Sequence, residues 1–319
     1  MKLLVVIVNY RTPELTIDCL ESLAPEISTV PGTRVVVTDN DSGDGSTDKI
    51  RIAIAQNKWT WAALMPLAKN GGFAWGNNQA IEPALKADDR PQYIYLLNPD
   101  TVVLPDAMKE LVRFLDANPQ VGIAGGRAIN MDGTVRNSMF RFHTVLSELE
   151  GSIRLGVVSK MLKQHVVASP PPDEPVPADW VSGASMMIRR EVFDKIGLLD
   201  DRYFMYYEET DFCLRARRAG FECWYVPTSK IIHLVGQSSG VTGNKRLAKR
   251  RPKYWFESRH RYFVRHYGVL KTLAADTLWA GGFAISSALR VLRGKPRTDP
   301  PWLLWDFVRY NLMSWAHRL

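Results

Sequence analysis

The 319-residue chain reads as an α/β protein with a Rossmann-like, mostly parallel central sheet flanked by helices and a helical appendage at its C-terminal end. Three observations predict it. Leu3 to Val8 is an unbroken run of branched apolar residues, the mark of a strand buried on both faces. Arg34 to Thr38 and Tyr93 to Leu97 are further runs of that kind, and β-α-β order with right-handed crossovers builds a parallel sheet. With 46% hydrophobic residues, the chain can bury one large core and still carry an appendage.

The opening apolar run is too short for a signal peptide and leads straight into Asn9-Tyr10-Arg11, so it is read as a strand. From Thr12 or Pro13 to about Leu23, residues Leu15, Cys19, Leu20 and Leu23 share one face of a helix. After the second strand comes Asp39-Asn40-Asp41-Ser42-Gly43-Asp44-Gly45-Ser46. As a turn this cluster needs no other reason. As chemistry, a carboxylate at a strand's carboxyl end can accept from a nucleobase N–H or from ribose hydroxyls. No GxGxxG follows the first strand and no GxxxxGK(S/T) occurs, which argues against classical dinucleotide and P-loop sites.

Lys69 to Ile81, holding Asn70, Gly72, Phe73 and Asn77, reads as a glycine turn that enters a helix near Asn77, where free amides suit a phosphate. Beyond Leu97, extended geometry puts Asn98 and Asp100 on one side of the chain. Asp100 is the oxygen ligand that magnesium or manganese prefers, and Asn98 is a neutral second contributor. A helix over 106–117 and a strand from Val121 to Ala124 follow. Residues 140–165 read as a mobile helical flap and 168–177 as an extended proline-rich segment. Trp180-Val181-Ser182-Gly183 offers an aromatic platform beside a close backbone approach, suited to a sugar face, although a core tryptophan would read the same way. A strand over Met186 to Ile188 and a short helix from Arg190 to Ile196 complete this part.

An aromatic run from Tyr203 then delivers Glu208, Glu209 and Asp211 to the first turn of a helix over 208–219, stopped by Gly220. Acids in a first turn and arginines in a last one complement the helix dipole, and Asp211 can pair with Arg215 at i,i+4 without any chemistry. What favours chemistry is the company kept: an acidic loop, a Gly/Asn turn and a downstream histidine, each at the end of a predicted strand, where ligands of open α/β sheets bind. Strands over 222–227 and 229–236 put His233 where it can close a metal or diphosphate site.

The formal charge is +8, with a pI near 9.4. That balance suits phosphorylated substrates, nucleic acid or an acidic membrane alike. Nine of the Lys/Arg residues fall between Lys245 and Arg265 against one acid, Glu257, interleaved with Tyr254, Trp255, Phe256, Tyr262 and Phe263. No nucleic-acid module is recognisable there. The three cysteines, Cys19, Cys213 and Cys223, have no CxxC spacing and point to a reducing cytosol. Leu273 to Leu289 is interrupted by Asp276 and falls short of a spanning helix. The tail, with helices over Tyr254 to His266 and Trp302 to Leu319, therefore reads as interfacial.

Six segments, in order, resemble the inverting GT-A glycosyltransferases of family 2, in their rhamnosyltransferase-like branch, over about residues 3–265. They are Val6-Ile7-Val8-Asn9-Tyr10, Thr38-Asp39-Asn40-Asp41-Ser42, Asn70-Gly71-Gly72-Phe73-Ala74 with Gly76-Asn77-Asn78, Asn98-Pro99-Asp100, Trp180-Val181-Ser182-Gly183-Ala184, and Tyr207-Glu208-Glu209-Thr210-Asp211 with Ile232-His233. The resemblance implies a GT-A catalytic domain over 1–240 and a helical, basic and aromatic region over 241–319. Within the domain it implies a donor-binding half, 1–105, and an acceptor and catalytic half, 106–240.

It also implies roles. Glu209 is the general base, with Glu208 and Asp211 tuning it. Asn9, Tyr10, Asp39, Asp41, Asn70, Gly72, Phe73, Asn77 and Asn98 bind the donor, with Asp39 on its pyrimidine. Trp180, Ser182 and Gly183 bind the acceptor, while Asp100 and His233 hold Mn2+ or Mg2+. The expected partners are a nucleotide-diphosphate sugar, dTDP-rhamnose first and a UDP-hexose or UDP-galactofuranose second, and a lipid-linked or glycan acceptor. An anionic membrane surface joins them, with the protein cytoplasmic and peripheral on its inner face. Asn98 stands where the family's DxD motif has its first acid, and Glu-Glu replaces the usual Glu-Asp at the base. No QxxRW segment or run of spanning helices suggests a processive synthase. A scaffold that binds nucleotide sugars without turnover, or a nucleic-acid binder using 245–265, are the readings from other classes.

Overall fold

The computed structural model describes residues 1–234, 249–296 and 298–312. In chain order its elements are β1 (Leu3–Asn9), α1 (Pro13–Leu23), β2 (Thr33–Asp39), α2 (Ser46–Gln56), β3 (Ala62–Pro66), α3 (Gly72–Lys86), β4 (Tyr93–Leu97), β5 (Thr101–Val103), α4 (Ala107–Ala117) and β6 (Val121–Ile129). They continue with β7 (Met139–Phe140), α5 (Val145–Ile153), α6 (Gly156–Met161), β8 (Val176–Pro177), β9 (Trp180–Val181), β10 (Ser185–Arg189), α7 (Arg190–Ile196), α8 (Glu208–Arg218), β11 (Glu222–His233), α9 (Lys253–Leu292) and α10 (Leu303–Phe307). The chain divides into two compact units. One holds Met1–Phe140, Pro170–Phe204 and Glu208–Ser238; the other holds Arg141–Ser169, Met205–Tyr207 and Ser239–Leu319.

The first unit is built on one sheet of order β3-β2-β1-β4-β10-β6-β11-β5, with β8 beside β11. Its first four strands are parallel, and three of them, β2, β1 and β4, are the predicted apolar runs. β10 then enters antiparallel to both β4 and β6, so the sheet beyond β4 is mixed. β1 and β4 are buried along their whole length because helices cover both faces. The core gathers Leu3, Val5, Ile7, Leu20, Val35, Tyr95, Leu111 and Met187.

Several boundaries differ from the sequence reading, each for a local reason. α3 begins at Gly72 rather than near Asn77: the Asn70 side chain accepts from the Gly72 amide at 3.1 Å and holds the turn into the helix there. β6 runs on to Ile129. The two strands predicted over 222–236 are one, β11, which absorbs its proline through a register shift between Val226 and Lys230. α2 and β3, which the sequence does not announce, fill the crossover after the Asp39 turn.

In the second unit, α5 opens with a reciprocal capping box between Thr144 and Ser147 and lies within the predicted flap. α9 is two helices joined at Gly268, whose φ of 77° interrupts the helical path. Arg259 is its buried centre. Its guanidinium meets Glu148 at 2.8 Å, also contacts Asp276, and lies 4.7 Å over the rings of both Phe263 and Phe307. Asp276, which breaks the apolar run of 273–289, is thus an interior ion-pair partner. The predicted terminal helix is described only as far as 312. Residues 235–248, with Lys245 and Arg246 of the basic run, and residues 313–319 lie outside the described residues. Among the described residues no helix is long and apolar enough to cross a membrane.

Candidate active site

The carboxyl ends of β1, β2 and β4 lie side by side in register, Asn9 opposite Asp39 and Ile7 opposite Leu97. Asp39 is 2% exposed and fully engaged. Oδ1 accepts from Asn9 Nδ2 and Ser42 Oγ, both at 2.6 Å, and Oδ2 accepts from the Ser42 amide at 3.1 Å and Thr47 Oγ1 at 3.2 Å. Asn9 Oδ1 in turn accepts from Thr12 and Thr16. Buried Asn9 therefore fixes the Asp39 turn from within, while Asp41, at a φ of 55°, is exposed at its tip. Tyr10 is half-buried, with the Arg11 guanidinium 5.1 Å over its ring.

Asn40, within the Asp-Asn-Asp cluster but assigned no role by the sequence, links this turn to the next. Its Nδ2 donates to the Gly72 carbonyl at 3.0 Å. A Cβ on Gly72 would sit 1.9 Å from the Phe204 carbonyl oxygen, which accepts instead from the Phe73 amide at 2.9 Å. Asn77 lies one turn into α3 and is buried, its Nδ2 bound back to the Phe73 carbonyl at 2.9 Å. The Oδ1 atoms of Asn40, Asn77 and Asn78 are buried without a hydrogen-bond partner.

The Phe73 ring faces Gly183: a Cβ there would stand 3.2 Å from the ring and 3.8 Å from Glu209 Oε1. Burial pushes the Glu209 carboxyl up, while N–H groups, including that of Gly183, pull the other way. Glu208 beside it is driven well above the usual carboxylate range, first by burial and then by the neighbouring charge. The two carboxyls act on each other: the Glu209 charge raises Glu208, whereas the Glu208 side chain lowers Glu209. Asp211 has gone another way, pairing with Arg215 at 2.7 Å while Arg215 also donates to the Ile196 and Leu198 carbonyls. The i,i+4 alternative holds for this third acid.

Beside Gly183, the Ala184 carbonyl accepts from the Asn98 amide at 3.3 Å. β11 runs antiparallel to β5 and brings His233 opposite Thr101. His233 Nε2 lies 3.3 Å from Asp100 Oδ1 and 3.4 Å from Asn98 Nδ2. Asp100 is buried, and Oδ1 accepts no hydrogen bond. A carboxylate oxygen without a donor, next to an imidazole nitrogen, is a two-ligand set of the kind Mn2+ or Mg2+ accepts when phosphate oxygens complete the shell. The residues present fit such a cation. Among the described residues no group of three or more His, Cys, Asp and Glu gathers, so the protein alone offers no closed cage. Trp180 stacks on Phe140 at 4.2 Å, one ring pair across β7 and β9, and Ser182 is fixed by its amide to the Ser138 carbonyl at 3.0 Å. Through shared neighbours, one stretch of contacts runs from Asp39 through Gly72, Phe73, Gly183 and Glu209 to Asp100 and His233.

Comparison with known proteins bears on this arrangement. The sequence model described as "Glycosyltransferase like family 2" matches residues 2–261. The chain belongs to this glycosyltransferase family. Among curated family relatives, the "Low-salt glycan biosynthesis hexosyltransferase Agl10" of Haloferax volcanii is 28% identical over 235 residues, covering 72% of this chain and 66% of that protein. The "N-acetylglucosaminyl-diphospho-decaprenol L-rhamnosyltransferase" of Mycobacterium tuberculosis is 27% identical over 237 residues, 67% of this chain and 70% of that one. Further relatives carry rhamnosyltransferase names, so the likeness to that branch stands. The fold matches the solved "Mannosyltransferase PcManGT from Pyrobaculum calidifontis in complex with GDP-Man and Mn2+", with a TM-score of 0.54 at 14% identity, covering 99% of this chain and 86% of that one. The architecture is GT-A.

Proposed function

We propose that this family member is an inverting glycosyltransferase that moves one sugar from a nucleoside-diphosphate donor to a lipid-linked or growing surface glycan at the cytoplasmic face of a membrane. L-rhamnose from dTDP-rhamnose is the donor, a choice supported by the rhamnosyltransferases among its relatives. The Haloferax relative, named a hexosyltransferase, supports a hexose as the alternative sugar, with a UDP-hexose or UDP-galactofuranose as its donor.

The observation that carries the reading is the carboxyl pair at the start of α8, with Glu209 Oε1 facing the side-chain-free Gly183 and both carboxyls pushed up first by burial. Glu209 takes the proton from an acceptor hydroxyl as the hydroxyl oxygen bonds to the anomeric carbon. The bond from that carbon to the diphosphate oxygen breaks on the opposite face, and the nucleoside diphosphate leaves with the electron pair. Glu208 stands beside Glu209 and lowers its pKa, and Gly183 leaves the space a side chain would fill. Asn70, Gly72 and Phe73 frame the diphosphate at the start of α3, and the Asp39 turn takes the nucleoside end. Asp100 and His233 would hold the divalent cation. Bound there, Mn2+ or Mg2+ supplies positive charge that stabilises the departing diphosphate.

A thermal-shift screen of nucleotide sugars with and without manganese tests the donor: dTDP-rhamnose with manganese should raise Tm more than UDP-hexoses do. Glu209→Gln should lower transfer by about a hundredfold to ten-thousandfold and leave donor affinity unchanged. Near-normal turnover in that variant rejects Glu209 as the base.

A further inference from the structure

The helical unit holds two adjoining cavities of opposite character. One, of about 830 Å3, is lined mainly by apolar side chains, with Phe283, Val291, Trp302 and Trp305 among them. Trp302 is 68% exposed and Trp305 55%, an unusual state for two large rings so close in sequence. The other, of about 400 Å3, is lined by Arg154, Lys249 and Arg251 against a single acid, Asp299. The two share Asp299, Pro300 and Leu303 as walls, so this depression has an apolar side and an adjoining cationic side.

The salt bridges leave the cationic end a surplus. Asp299 is taken by Arg154 at 2.6 Å and by Arg290 at 2.9 Å. Lys249 and Arg251 face no carboxylate among the described residues, and Arg251 lies 5.6 Å over the Trp255 ring. An apolar slot edged by half-wet tryptophans beside unneutralised cations matches an amphiphile with an anionic head and a hydrocarbon chain.

The geometry points to this depression as the site where the enzyme takes an anionic phospholipid of the membrane surface, phosphate against Lys249 and Arg251 and one acyl chain between Trp302 and Trp305. The assignment rests on the proposed membrane-face location, though not on the sugar or the transfer chemistry. It also locates attachment in the α9–α10 region without any spanning helix.

Flotation of the full-length protein with vesicles tests it. Binding to vesicles of phosphatidylglycerol and phosphatidylcholine should exceed binding to phosphatidylcholine alone by at least about tenfold, given roughly fivefold per basic residue near an anionic surface. Lys249→Glu, exposed, with Arg251→Glu, half-buried, should remove that preference, with Tm measured to verify folding. Trp302→Ala with Trp305→Ala should weaken binding to both vesicles about tenfold, with Tm measured to verify folding. Transfer to a water-soluble acceptor should be unchanged in all four substitutions, which separates failure here from failure of the transferase reading. Equal binding to neutral and anionic vesicles, or wild-type binding by the charge-reversed protein, overturns the site. So does binding that appears only after residues 313–319 are deleted, because the depression would then be the seat of the chain's own end.

Discussion

The Phe73 amide donates to the Phe204 carbonyl at 2.9 Å, tying the first turn of α3 to the segment that ends four residues before Glu208. Gly72 makes this approach feasible, with a φ of 88° and no side chain where the Phe204 oxygen stands. Gly72→Ala should therefore cost about 2–3 kcal/mol of stability, read by urea denaturation, and donor affinity should fall with it. Unchanged stability would show that the contact is dispensable.

Glu208 gives a pH signature. Its folded pKa lies well above the ordinary 4.5, so between those two values the folded state holds a proton that the unfolded chain has released. Its favourable contribution is complete below pH 4.5 and is lost as pH rises through the folded pKa. Glu208→Gln should consequently raise Tm relative to wild type at pH 8 and lose that advantage below about pH 4.5. Glu208→Leu, which also removes the side chain that lowers Glu209, should move the acid limb of the kcat/KM profile to higher pH.

Asp100 and His233 should act together on metal-dependent donor binding. Asp100→Ala should weaken donor affinity in the presence of manganese by roughly tenfold or more, measured by calorimetry. Chelation with EDTA should bring wild type down towards the variant. Equal affinities with manganese present would remove the carboxylate from the metal site.

Arg259 tests the helical unit by itself. Removing its charge leaves Glu148 and Asp276 buried without their cation, a loss of about 3–5 kcal/mol. Arg259→Met should lower Tm by an amount that shrinks at acid pH, because Arg259 and His143 outweigh burial and hold the Glu148 carboxyl low in the native protein. As pH falls through that lowered value, the wild type loses the advantage the arginine gives it.

Much of the first unit was legible because two-sided burial writes strands as uninterrupted apolar runs, as in β1 and β4. Turn chemistry marked the Asp39 and Asn98 loops for the same reason: few residues tolerate those conformations. The sequence was less able to say what each polar side chain does once folded. Asn9 and Asp39 look alike as ligand-facing groups, yet they bond to each other and to the serine and threonines around them. Asp211 resembles its acidic neighbours but is matched by Arg215. α2 is weakly patterned and β3 only half-buried, so neither imposes a strong period. Tyr206 and Tyr207, consecutive residues at φ 70° and 69°, carry no glycine to announce their turn. The Tyr206 ring stacks on Tyr254, and the Tyr207 ring packs at a tilt against Tyr262 and His143.

The reversed strand β10 has a consequence for synthesis. It is the partner of β4 on one side and β6 on the other, yet it is made some ninety residues after β4. Until Ser185–Arg189 leaves the ribosome, the nascent sheet ends at β4 in an apolar, unpaired margin, and β6 has no sheet partner, since β11 follows later still. Chains terminated before residue 185 should accumulate as insoluble material even though the whole parallel part of the sheet, β3-β2-β1-β4, is already present.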